Sequence, residues 1–105
     1  MDLKIFWTDF SKTELKNIFK HLKEKASLGV AKKENKKIVQ STLKLIKQPE
    51  IGQIEPMLAE RGIEFRYLLH QTYKIIYWIN YKQNRIEIVD IFETHQQPEK
   101  LKRTK

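Results

Sequence analysis

Five side chains in the second half of the chain could do chemistry or bind a charged partner: Arg66, Lys74, Tyr77, Trp78 and His95. Arg66 and Lys74 can hold a phosphate or a carboxylate by charge-assisted hydrogen bonds. A histidine such as His95 can act as acid or base near neutral pH. Tyr77 and Trp78 offer ring faces for stacking. Being adjacent, the two rings fall on opposite faces of a strand, so at least one belongs to a core. Together the five would suit a basic, aromatic-lined concavity for phosphates or an acidic peptide. Each also has a plain structural alternative. Arg66 could pair with Glu64, Glu87 or Glu93, the rings could be core, and His95 could cap a backbone group.

Other chemistries find little support. With three glycines there is no phosphate-binding glycine loop, and with no cysteine there is neither a disulfide nor a thiolate metal site. No serine stands beside a base in a nucleophile motif. His21, His70 and His95 lack metal-ligand spacing, so neither metal nor cofactor is expected. The net charge of +8 favours a polyanion or an acidic protein as partner, although lysines such as Lys20, Lys23, Lys25, Lys32, Lys33, Lys36 and Lys37 would also suit a solvated helix face. No apolar run approaches the ~18 residues of a membrane span, and no secretory signal is evident. A cytoplasmic protein without a membrane association is the expectation.

Three strands must position these residues: Ile63–His70, Tyr73–Asn80 and Arg85–Phe92. Each alternates apolar and polar residues and is rich in Ile, Val, Tyr and Phe. In the first, Ile63, Phe65, Tyr67 and Leu69 share a face; in the second, Tyr73, Ile75, Tyr77 and Ile79 do. In the third, Ile86, Ile88 and Phe92 do, with Asp90 intruding. The joints Gln71-Thr72 and Tyr81–Asn84 allow only hairpins, which predicts an antiparallel meander. The other face, with Leu68, Ile76, Trp78, Val89 and Ile91, is apolar enough to be covered too.

Upstream, Leu3–Trp7 reads as a strand. A helix follows, with capping-box spacing at Ser11 and Glu14 or an earlier start at Thr8 or Asp9. Its apolar stripe is Leu15, Ile18, Phe19, Leu22 and Ala26. Ser27-Leu28-Gly29 breaks it, and a second helix over about Val30–Lys47 ends at Pro49. The two should form an antiparallel hairpin against one face of the meander. Gln48–Gly62 reads as a loop, either functional or a surface connection anchored by Ile51, Ile54, Met57 and Leu58. Pro98 could open a short terminal helix, and 102–105 should fray. The expectation is one α+β domain over 1–105, in the order β–α–α–β–β–β.

This pattern resembles the RelE/ParE superfamily of bacterial type II toxins, and its ParE-like branch more than its RelE-like one. The resembling stretches are IFWTDFSKTELKNIFKHL, LIKQPEIGQ, FRYLL with YKIIYWI three residues on, and IEIVDIFETHQQPEKL, in the family's order and over nearly the whole chain. The resemblance implies a cognate antitoxin whose flexible segment wraps the toxin in a hetero-oligomer. For the ParE-like branch it implies growth inhibition by binding DNA gyrase or a related topoisomerase. There Arg66, Lys74, Tyr77, Trp78 and His95 would be binding residues. The alternative is a RelE-like, ribosome-dependent mRNA endonuclease, with Arg66, Lys74 and His95 catalytic. It would need a base for the 2′-hydroxyl, cations for the phosphate and an acid for the leaving oxygen. Many such nucleases also carry a C-terminal tyrosine. Here that place is near Leu101, and no tyrosine follows Tyr81. A third reading is an inactive relative that binds only antitoxin or DNA.

Overall fold

The computed structural model describes residues 3–56 and 62–95. Its elements are β1 (Lys4–Trp7), α1 (Asp9–Lys25), α2 (Leu28–Ser41), a 3-10 turn (Leu43–Ile46), β2 (Gln53–Ile54), β3 (Arg66–His70), β4 (Tyr73–Asn80) and β5 (Arg85–Glu93). The α+β order anticipated from the sequence is present, with β2 in addition. The expected helix at Pro98, the tail 102–105 and the anchors Met57 and Leu58 lie outside the described residues.

Two hydroxyls start the helices. Thr8 is the N-cap of α1, its Oγ1 accepting from the Ser11 N–H at 3.2 Å. The earlier of the two anticipated starts is therefore used, and Ser11 is buried in the first turn, its own Oγ donating to the Thr8 carbonyl. Ser27 caps α2, accepting from the Val30 N–H at 3.1 Å. The break is thus shorter than expected, and Gly29 lies inside the helix. At the other end of α2, Ser41 and Thr42 donate to the carbonyls of Ile38 and Val39 at 2.6 and 2.7 Å. Such back-bonding takes up carbonyls that would continue an α-helix. The chain tightens into the 3-10 turn, which shortens α2 relative to the expected Val30–Lys47.

The sheet order is β1-β5-β4-β3-β2. β3, β4 and β5 form the antiparallel meander, β1 adds parallel to β5, and β2 adds antiparallel to β3. Gln71 takes a positive φ of 54° in the β3–β4 turn, and Asn84 one of 55° before β5. One core lies between the sheet and the helices. It joins Leu68, Ile75, Tyr77, Ile86, Ile88 and Ile91 to Ile38 of α2, Leu45 of the 3-10 turn and the partly buried Leu15 and Ile18 of α1. On the other face Phe65, Ile76, Val89 and Phe92 are buried, with Tyr67 and Trp78 packed against them. Both faces are apolar, as expected, but Leu68 and Ile91 sit on the helix side, and Phe65, Tyr67 and Phe92 on the other.

A bulge accounts for β5. Tyr77 pairs with Ile88 and Ile76 with Asp90, so Val89 is skipped. One extra residue reverses the alternation beyond it. Ile86, Ile88 and Ile91 all reach the helix-side core, while Asp90 and Phe92 turn away from it. Asp90 is fully buried and accepts from the Ile91 N–H at 2.8 Å.

Candidate functional site

The polar residues of the middle strands converge on one segment, 48–55, which runs along the β3 edge. Tyr77, fully buried in the centre of the sheet, reaches it with its hydroxyl. That hydroxyl donates to the Pro49 carbonyl at 2.7 Å and accepts from the Gly52 N–H at 2.9 Å. A side chain at position 52 would collide: a Cβ there would fall 2.4 Å from the Tyr77 hydroxyl and 2.8 Å from the Tyr67 carbonyl. Gly52 is therefore required by close approach of backbone to ring. Burial pushes the Tyr77 phenol above the usual tyrosine value, the Gly52 N–H and Arg66 pull it down, and Glu50 adds to the rise.

Arg66 lies on the same face as Tyr77, its partner across β3 and β4. Its Nη1 donates to the carbonyls of Glu50 at 3.1 Å and Gly52 at 2.9 Å. Its Nη2 binds the Glu64 carboxylate at 2.9 Å, with the Glu50 carboxylate at 3.7 Å. Both Nη atoms are thus occupied by the chain itself, while the buried Nε has no hydrogen-bond partner among the described residues. Of the carboxylates expected beside it, Glu64 is the partner, and Glu50 takes the place of Glu87 and Glu93.

Lys74 lies on the opposite face. Its cross-strand neighbour is Leu69, and its Nζ sits 4.2 Å from the centre of the Tyr67 ring. It pairs at 2.7 Å with Glu55, which is 3% exposed. Tyr67 in turn donates to the Gln53 side chain at 2.7 Å. Trp78, half-buried, packs on this face with Phe65, Ile76, Val89 and Phe92. His95 follows β5 with its side chain 81% exposed, its Nε2 3.7 Å from Glu93 Oε1. Glu93 also accepts from the Thr72 hydroxyl at 2.7 Å.

The five residues therefore do not line one concavity. Arg66 and Tyr77 share the helix-side face, Lys74 and Trp78 the other, and His95 stands in solvent at the end of β5. The reason is the two-residue turn. Leu69 opposes Lys74 and Arg66 opposes Tyr77, which puts the two cations an odd number of positions apart. Two residues that the sequence reading did not place in the site, Gly52 and Glu55, complete the arrangement. A signal existed for Gly52, since it is one of only three glycines in the chain and lies in a long connection, where a glycine often marks close approach. Among the described residues no group of three or more His, Asp or Glu side chains could hold a metal ion. No helix among them is long and apolar enough to cross a membrane.

A second surface has different chemistry. Between α1 and α2, Trp7, Leu15, Phe19 and Val39 line a shallow apolar trough, with Asn35, Lys12 and Lys16 at its rim.

A helical hairpin packed on one face of a five-stranded sheet, with its strand cations bound to its own chain, defines a small α+β domain. A chain of the chromosomal ParDE TA system from P. aeruginosa shares the fold, with a TM-score of 0.69 at 17% identity over 87% of this chain and 95% of that one. The E. coli toxin RelE, as a mutant in the free state, aligns with a TM-score of 0.49 at 14% identity, over 89% of this chain and 84% of that one. No curated protein sequence matches. The model of the family described as the ParE toxin of the type II toxin-antitoxin system, parDE, matches residues 5–98, and the chain belongs to that family.

Proposed function

We propose that this protein is the toxin of a ParDE-type module, acting by binding rather than by chemistry. In this reading it binds DNA gyrase or a related topoisomerase in the cytoplasm, stops growth, and is silenced in a hetero-oligomer with a cognate antitoxin. The observation that carries the reading is the family match over residues 5–98. The geometry supports it. The nuclease alternative requires Arg66, Lys74 and His95 around one phosphate, whereas Arg66 and Lys74 stand on opposite faces and hold the segment 48–55.

Induced expression with separate readouts tests it. Filamentation and a DNA-damage response with intact message are expected, and co-expression of the small protein encoded beside this gene should restore growth. Rapid loss of translation with cleaved message would replace this reading by the RelE-like one. Message cleavage that His95→Ala abolishes while the fold survives would do the same.

A further inference from the structure

The net charge of the molecule sits on the helical hairpin and the 3-10 turn. From Lys12 to Lys47 the chain carries eleven lysines and three glutamates, a net +8, and the rest of the chain balances at ten cationic and ten acidic residues. All eleven lysines are exposed. Among the described residues one of them makes an ion pair, Lys37 with Glu34 at 4.0 Å. A merely solvated face mixes both signs. Here like charges are stacked instead. Lys12, Lys16 and Lys20 follow at four-residue spacing along α1, and Lys32 with Lys36 and Lys33 with Lys37 do so on α2. Such neighbours repel across a helical turn and destabilise the helix that carries them. An external polyanion would relieve that repulsion.

The composition of the face selects the occupant. On α2, the exposed Lys32, Lys33, Lys36 and Lys37 lie opposite the buried Ala31 and Ile38. They span about 7.5 Å of helix axis. Duplex DNA presents one phosphate charge per about 1.7 Å of its own axis, so four phosphates come within their reach. Between Lys12 and Lys47 there is neither an arginine nor, among the described residues, an exposed aromatic ring. Protein interfaces favour Arg, Tyr and Trp around an apolar centre and are depleted in lysine. Single strands need rings on which their bases can stack. Lysine ammoniums are point charges, which suffice for phosphates and read no sequence. We propose that the outward face of α2, centred on Lys32, Lys33, Lys36 and Lys37, binds the phosphate backbone of duplex DNA without sequence preference. The choice of DNA over RNA rests on the topoisomerase reading above, and the inference adds a direct contact between this chain and the duplex such an enzyme holds.

Fluorescence anisotropy of a short labelled DNA duplex, titrated with the purified full chain, tests it. Binding should be measurable at about 0.05 M salt, and log K should fall against log salt with a slope of about −3.6 or steeper, the release expected from four phosphates. Lys33→Gln combined with Lys36→Gln should cut that slope by about two and weaken binding at least about tenfold at low salt. Helix propensity is kept and a like-charge pair removed, so the melting temperature of this variant should not fall. Lys4→Gln combined with Lys82→Gln removes the same charge from exposed positions outside the hairpin and should leave the slope unchanged. An equal loss in that control would mean that only net charge is felt, and would overturn the assignment to α2. No binding at low salt would overturn the inference, as would tighter binding of a single strand of the same length or of poly-glutamate. Tighter binding of the same duplex made as RNA would overturn the assignment to DNA. Inhibition of purified gyrase is measured separately, so the topoisomerase reading can stand where duplex binding fails.

Discussion

Tyr77 and Arg66 spend their polar atoms on backbone, which sets what their removal should do. Tyr77→Phe keeps the ring and strands the Pro49 carbonyl and the Gly52 N–H. A buried group left unsatisfied costs about 1–3 kcal/mol, so denaturant titration should show a loss of at least about 2 kcal/mol with a normal fold. The pH dependence has a definite sign. The Tyr77 phenol is raised in the folded state, mainly by burial. The folded protein therefore holds that proton more tightly than the unfolded chain. Its contribution is complete below the ordinary tyrosine value of about 10 and fades as pH rises past it. Melting temperature should fall above that pH, and fall less steeply in Tyr77→Phe. At this scale the sequence reveals only part of the site. That Tyr77 and Trp78 face opposite ways follows from adjacency, and a cross-strand count through Gln71-Thr72 separates Arg66 from Lys74. That Arg66 binds the carbonyls of Glu50 and Gly52 could not be read, because a carbonyl acceptor leaves no mark on residue type.

The segment 48–55 shows the same principle for an element. A two-residue strand contributes few ladder bonds, so β2 depends on side chains reaching it from β3 and β4. Ile51 and Ile54, the anchors expected from sequence, are about half exposed; the hold comes from Tyr77, Arg66 and the Lys74–Glu55 pair. Gly52→Ala should therefore cost more than its helix or turn propensity suggests. Overpacking against a fixed ring and a strand carbonyl is worth about 1–3 kcal/mol, and native-state amide exchange should show the segment opening before β4 or β5. The caps behave independently. Ser27→Ala removes one bond at the start of α2 and should cost about 1 kcal/mol by thermal melting, with the segment untouched. Period and hydroxyl chemistry make the helices and the meander legible. β2 escapes because two exposed residues carry no periodicity, and the Val89 bulge because a skipped residue looks like a flaw in the alternation.

For the whole molecule, the fold is legible because the apolar stripes of α1 and α2 and three alternating strands agree on one packing, and the family because four stretches resemble it in order. The sheet order is less so: that β1 lies outside β5 is a property of the finished sheet. The net charge of +8 acts at this scale as well. Arg66 and Lys74 are paired within the chain, so the field available to an incoming partner comes mainly from the exposed lysines of the helical hairpin and the 3-10 turn. Such a field speeds encounter with an acidic chain more than it stabilises the docked complex, and salt screens it over about 10 Å at 0.1 M. Association with the antitoxin should therefore slow by at least about tenfold as ionic strength rises from about 0.05 to 0.5 M, while dissociation changes little. Stopped-flow measurements on both rate constants check this. A salt effect confined to dissociation would mean that the charges act in desolvated pairs inside the interface, and would place Arg66 or Lys74, rather than the hairpin lysines, at its centre.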